Sequence, residues 1–171
     1  TRLRRFDRAT GAWYDRISSS FASVGVALSR ADPDLIYEGE GGPGVIGVIS
    51  RSKLPRRQLL SFAPVQTDIK DIVVLPGDAK IYASYGYYGG IWVIDPARDS
   101  VLKRIPFHGV SLGGDAPDMV LSTDDRRLYA AVTDGTPRGV VEIDTGTDSV
   151  LRTLNLDSTK NTNITLNTSD A

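Results

Sequence analysis

Gly109-Val110-Ser111-Leu112-Gly113 spells the G-x-S-x-G frame of a nucleophile elbow, and the single histidine, His108, stands directly before it. An elbow needs a sharp strand-to-helix turn, with an acid and a histidine later in the chain. No histidine follows, so the segment is expected to be a loop joining one repeat to the next. Gly39-Glu40-Gly41-Gly42-Pro43-Gly44 fits G-x-G-x-x-G. A dinucleotide site would need the last glycine to open a helix facing a pyrophosphate. VIGVIS follows instead and reads as a strand, which predicts an irregular turn between two strands. Asp95 with Asp99, and Asp144 with Asp148, suggest calcium loops. A hard cation asks for six to eight oxygens, and the closely spaced acids with a distant bidentate glutamate are missing. Aspartate also starts turns through its own side chain, which accounts for both pairs.

A second constellation is aromatic: Tyr82, Tyr85, Tyr87 and Tyr88, with Trp92 close behind. Tyr82 and Trp92 fall on apolar positions and are expected to pack. Tyr85, Tyr87 and Tyr88 fall at and beyond the end of a strand, where a ring and a hydroxyl suit recognition. Together with His108, Asp115 and Arg138 from neighbouring connections, they are the candidate binding residues. No catalytic or metal-ligating set is assigned, and no cofactor is expected.

Composition narrows the chemistry further. Among 171 residues, 20 lysines and arginines nearly balance 21 acids, giving a net charge of −1. That balance disfavours nucleic-acid binding, and the runs Arg2-Leu3-Arg4-Arg5 and Arg56-Arg57 read as wet strand edges. There is no cysteine, which removes disulfides, thiolate metal sites and cysteine nucleophiles from this chain. No apolar run is long enough for a membrane helix, so no membrane insertion is expected, and residues 1–8 do not read as a signal peptide.

The elements that must position these residues repeat. SVGVALSRADPDLIYEG, DIVVLPGDAKIYASY and DMVLSTDDRRLYAAV align, placing Tyr37, Tyr82 and Tyr129 in one column at spacings of 45 and 47. RFDRATGAWYDRI, GVISRSKLPRRQLL, WVIDPARDSVLKRI and VEIDTGTDSVLRTL align as well, with Phe6, Ile49, Ile94 and Ile143 as anchors. Leu28, Leu75, Leu121 and Leu166 form a further column. Each repeat reads as four short strands rich in Val, Ile and Tyr, separated by Asp, Pro and Gly turns. Over 71–107 these are 71–78, 80–86, 90–95 and 100–107, predicted to form one antiparallel sheet with the sheets of 21–62 and 118–156 on either side. Four antiparallel strands per unit of ~40–50 residues is the blade signature of a β-propeller, so the expected fold is all-β.

IWVIDPARDSVLKRI and VVEIDTGTDSVLRTL resemble the YVTN-type β-propeller repeat, as does the turn-plus-tyrosine text STDDRRLYAAV. The resemblance is best over 71–156. It departs where Ala-Ser or Ala-Ala follows the shared tyrosine, and where Tyr37-Glu38-Gly39 stands. It implies a secreted, cell-surface or periplasmic protein.

The register divides the chain into residues 1–19 (the second half of a blade), whole blades at 20–62, 63–107 and 108–156, and a first strand of a further blade at 157–171. That count predicts a segment of a longer polypeptide or one part of an assembled ring, partnered by further blades or by a second copy. All four asparagines lie in the last 17 residues, and Asn163 and Asn167 begin glycosylation triplets. In a four-stranded blade, the loops between strands two and three and those between blades emerge on one side. This side gathers Glu38 to Gly44, Tyr85 to Gly90, the 107–118 connection and Thr133 to Arg138. The expected function is a non-catalytic binding or scaffold module that meets a protein or glycan there, with Tyr87 and Tyr88 as anchors. The competing expectation is an enzyme whose propeller holds a metal or quinone in its central channel.

Overall fold

Short runs of Val, Ile and Tyr broken every few residues by Asp, Gly or Pro can satisfy their backbone only by pairing sideways. Among its described residues the computed structural model is accordingly all β apart from one 3-10 turn. It describes residues 2–6, 8–18, 23–41, 44–52, 57–61, 69–85, 90–107, 118–132 and 139–155.

A leading hairpin pairs β1 (Arg2–Phe6) with β2 (Trp13–Ser18). The first four-stranded sheet is β3 (Ser23–Leu28), β4 (Leu35–Glu40), β5 (Val45–Ser50) and β6 (Arg57–Ser61). The second is β7 (Ile69–Val74), β8 (Ile81–Tyr85), β9 (Gly90–Asp95) and β10 (Ser100–Pro106). The third is β11 (Met119–Leu121), β12 (Arg127–Val132), β13 (Gly139–Asp144) and β14 (Ser149–Asn155). Strands follow chain order in every sheet and all pairs are antiparallel.

The turns explain the spacing. Leu75 N–H donates to the Lys80 carbonyl at 2.9 Å, and Ser122 N–H to that of Arg127 at 2.8 Å, so the two turns superpose. The same bond in the first sheet runs from Ser29 to Leu35, one residue longer. Leu28 pairs with Ile36, Val74 with Ile81 and Leu121 with Leu128. The leucine column is therefore corrected by one residue in the second sheet: Val74, not Leu75, stands with Leu28 and Leu121. Leu75 opens the turn, and Pro76–Asp78 winds into the 3-10 turn that shortens the expected strand 71–78. The tyrosine column is correct as read. Asp78, Asp99, Asp125 and Asp148 all hold positive φ between 49° and 58°. Aspartate tolerates that left-handed conformation better than most residues, because its short side chain bonds the local backbone.

The sheets stack face to face. Tyr37, Ile46 and Val48 of the first pack on Ile72, Val74, Ile81, Ala83, Trp92 and Ile94 of the second. Tyr82, Ile91, Val93 and Ile105 on the second sheet's other face pack on Met119, Leu128, Val141 and Ile143 of the third. The third strand of the second sheet, β9, is therefore apolar on both faces. First strands adjoin from sheet to sheet, with β7 beside both β3 and β11. Arg30, in the first sheet's first turn, reaches the third sheet, where its guanidinium pairs with Asp125. The first turns thus converge, as they must where sheets are arranged radially. Among the described residues the stack does not close into a ring.

One close approach decides a glycine. A Cβ on Gly39 would lie 2.4 Å from Cγ2 of Ile69 in the next sheet. Gly39 and Glu40 belong to β4, which corrects the expected irregular turn over 39–44: the strand runs on to Glu40, and β5 follows from Val45. Nothing helical follows the glycines, so they build no dinucleotide cradle. Gly39 is small because a neighbouring sheet presses on it.

Candidate functional site

Of the candidate binding residues, Tyr85 is described and Tyr87, Tyr88, His108, Asp115 and Arg138 lie outside the described residues, as do Ser111 and its G-x-S-x-G frame. Tyr85 ends β8 and is only 6% exposed. Its ring lies 5.5 Å from that of Trp92, tilted by 51°. The Arg104 guanidinium sits 3.7 Å over the Trp92 ring. Burial pushes the Tyr85 hydroxyl's pKa up, and Arg104 opposes it. Gly90 (φ 151°) is required beside it, since a Cβ there would meet the Tyr85 hydroxyl oxygen at 2.6 Å. Tyr85 is therefore a packing residue, a correction to its expected place on the recognition surface. The ring lies at the strand's end, but Trp92 on the paired strand covers it. Glu38 and Glu40, expected in a loop on the same side, are buried in β4.

The opposite side holds the short aspartate turns. It carries the polar seams of the molecule. Asp78 accepts from the Ser29 and Tyr37 hydroxyls (Tyr37 at 2.8 Å) and from the N–H groups of Arg30 and Ala31 at 2.7 and 3.2 Å. Burial works against the Asp78 charge, but those donors outweigh it and leave the carboxyl below its ordinary pKa. Between the second and third sheets, Asp148 accepts from the Tyr82 hydroxyl at 2.6 Å and from Lys80 Nζ at 2.7 Å. Lys80 also reaches the Thr145 carbonyl at 2.9 Å, and Lys103 Nζ that of Thr147 at 3.2 Å. Burial and then the Asp148 carboxylate push Tyr82 ionisation far above its ordinary range, so the hydroxyl stays a donor.

Asp71 on β7 ties the first strands together. One oxygen accepts from its neighbour Ile72, and the other from the Met119 N–H of the third sheet at 2.7 Å. Burial dominates, and with help from the Asp118 charge raises the Asp71 pKa despite both bonds. The aspartates proposed as turn formers act as such. Asp144 Oδ1 takes the N–H groups of Gly146 and Thr147 at 3.0 and 2.9 Å, while Arg127 pairs with Oδ2. Asp95 likewise takes Ala97 and Arg98. With donors of its own turn on these oxygens, neither site resembles a cation cage. Among the described residues no group of three or more His, Cys, Asp or Glu is placed to hold a metal.

Sequence reasoning missed the seams, although a signal was there. A tyrosine recurring in one column on a buried face needs an acceptor for its hydroxyl. The recurrent turn aspartates were the acceptors available.

No protein-family model matches the chain, and no curated protein sequence does. Among solved structures it is similar to a chain of Kuenenia stuttgartiensis hydrazine synthase, at a TM-score of 0.62 and 14% identity. The match covers 82% of this chain and 38% of that one. At that identity the likeness is one of fold, with that chain being propeller-like. The present chain spans well under half of its length.

Proposed function

We propose that this chain is a run of blades from a YVTN-type β-propeller, serving as a non-catalytic binding or scaffold module of a secreted, cell-surface or periplasmic protein. The observation that supports it is the build of the stack. Successive four-stranded meanders adjoin by their first strands and are cross-linked by a repeated tyrosine-to-aspartate bond, which gives a rigid body with loops at its rim. Rigid sheets holding variable connections are the usual platform for recognition. The YVTN assignment and the location rest on the repeat text; the similar solved structure is that of an enzyme, but a shared fold does not transfer an activity. On this reading Tyr87, Tyr88, His108, Asp115 and Arg138 supply contacts to a protein or glycan, and Tyr85 packs at the end of β8.

Arrays of glycans and of surface-protein ectodomains test it. A ligand is expected whose binding drops at least about tenfold in the Tyr87→Ala/Tyr88→Ala double variant, with an unchanged unfolding midpoint. Binding that survives this variant but is lost when the Asp144–Asp148 turn is altered overturns the choice of face. A hydrolytic activity lost in Ser111→Ala overturns the non-catalytic reading.

A further inference from the structure

The second and third sheets each carry a cation, a tyrosine and a second cation at the same three places. On the second sheet these are Lys80, Tyr82 and Lys103, and together they grip the β13–β14 turn of the sheet that follows. The pairings Tyr82 with Val93, Lys103 with Val93, Tyr129 with Glu142 and Arg152 with Glu142 put Arg127, Tyr129 and Arg152 at the equivalent positions of the third sheet. Resting on the reading of the chain as a run of blades, we infer that Arg127, Tyr129 and Arg152 form a second clamp, and that its occupant is the aspartate-bearing hairpin turn of a further four-stranded sheet of this same repeat.

Three observations carry this. Ile105 on the gripped side of the second sheet is 4% exposed, whereas its counterpart Leu154 on the third is 44% exposed. The apolar contact that accompanies the clamp is thus present but uncovered. The chemistry is complementary at Arg152 and Tyr129, whose guanidinium and hydroxyl suit the carboxylates and carbonyls of a turn such as Asp144–Asp148, while Arg127 lines the clamp already paired with Asp144 and Glu142 of its own sheet. Glu142, where the second sheet has Val93, takes Nε of both arginines. On Arg152 that leaves the Nη groups for another acceptor, and it orients the side chain in advance. Among the described residues the Tyr129 hydroxyl meets no acceptor. A second copy of this chain is a poorer occupant. Its sequence between β5 and β6 has Arg51, Lys53 and Arg56, and the turn of its leading hairpin has Gly11 (φ 69°) where Asp148 stands.

The chain lacks cysteine, so Leu154→Cys gives a single thiol reporter. The probe is a backbone-cyclised hairpin copying residues 139–155, added to the full chain while thiol labelling is timed. Saturable slowing of at least about tenfold is expected, weakening as salt is raised. Tyr129→Phe and Arg152→Gln, mild changes on a part-open face, should each relieve the protection several-fold. Unchanged labelling at millimolar hairpin overturns the inference. Equal protection by a hairpin carrying Asp144→Asn and Asp148→Asn overturns the charge complementarity and with it the clamp. Protection that grows with chain concentration in the absence of hairpin makes a second copy the occupant and overturns it too.

Discussion

The seam between the first and second sheets and the seam between the second and third start from the same donor and end on different acceptors. Tyr37 and Tyr82 stand in one column, each on the second strand of its sheet. Tyr37 meets Asp78 in the turn between strands one and two of the next sheet. Tyr82 meets Asp148 in the turn between strands three and four. The difference lies two residues upstream. Leu35 precedes Tyr37 where Lys80 precedes Tyr82, and a lysine draws the charged turn to itself. With Leu35 in the place of that lysine, the first seam assembles neutral donors, the hydroxyls of Ser29 and Tyr37 and two backbone N–H groups, around the Asp78 carboxylate. A repeat can therefore preserve an apolar contact while each interface chooses its own polar closure.

Truncation should separate buried from open positions most strongly. Tyr82→Ala removes a fully buried ring between two sheets and is expected to cost about 3–5 kcal/mol in urea unfolding. Tyr129→Ala, half-buried on the open face, should cost about 1 kcal/mol. Equal costs would mean that the second seam is not a packed interface. Gly39→Ala pushes a methyl into Ile69 and should cost about 1–3 kcal/mol by overpacking, relieved in part by Ile69→Val. If Gly39→Ala is neutral, the close approach of the first two sheets is wrong.

Removing carboxylate charge distinguishes the seams by their salt response. Asp78→Asn and Asp148→Asn should each destabilise by about 1–3 kcal/mol, since both leave part-buried donors without a charged acceptor. Added salt should narrow the gap to the parent for Asp148→Asn, whose partner is Lys80, and leave it unchanged for Asp78→Asn. Deleting single hydroxyls is milder. Tyr37→Phe and Tyr82→Phe should cost about 1 kcal/mol each, and double-mutant cycles should couple Tyr37 to Asp78 and Tyr82 to Asp148 but neither tyrosine to the other's aspartate.

Acid should act in opposite directions on two carboxylates. The folded Asp78 carboxyl is held below its unfolded value, so its stabilisation is present above the unfolded pKa and is lost as pH falls through the folded one. The parent's advantage over Asp78→Asn should therefore shrink on acidification. Asp71 is raised by burial, so the cost of its charge is absent below the unfolded pKa and grows as pH rises through the folded one. Relative to Asp71→Asn, the parent should gain stability on acidification. Denaturant midpoints measured below pH 5 check both signs.

The repeat made the sheets legible because burial on both faces leaves a plain text. Ile91, Trp92, Val93 and Ile94 run without a polar break, and turn residues bracket them. Tyr85 was misplaced because a strand's last residue and a loop's first residue look alike in sequence; only the position of Trp92 across the strand pair covers the ring. Leu75 was misaligned because leucine serves equally as the end of a strand and the start of a turn. The backbone bond to Lys80 decides which.

By itself, the sequence determined the strand alternation, the aspartate turns and the tyrosine column, since each follows from side-chain periodicity and local backbone preference. Which aspartate meets which tyrosine, why Gly39 must lack a side chain, and that the aspartate turns bind sheet to sheet were decided by tertiary structure. Those contacts join residues thirty or more positions apart, and whether a donor and an acceptor lie within 3 Å depends on how two sheets are stacked.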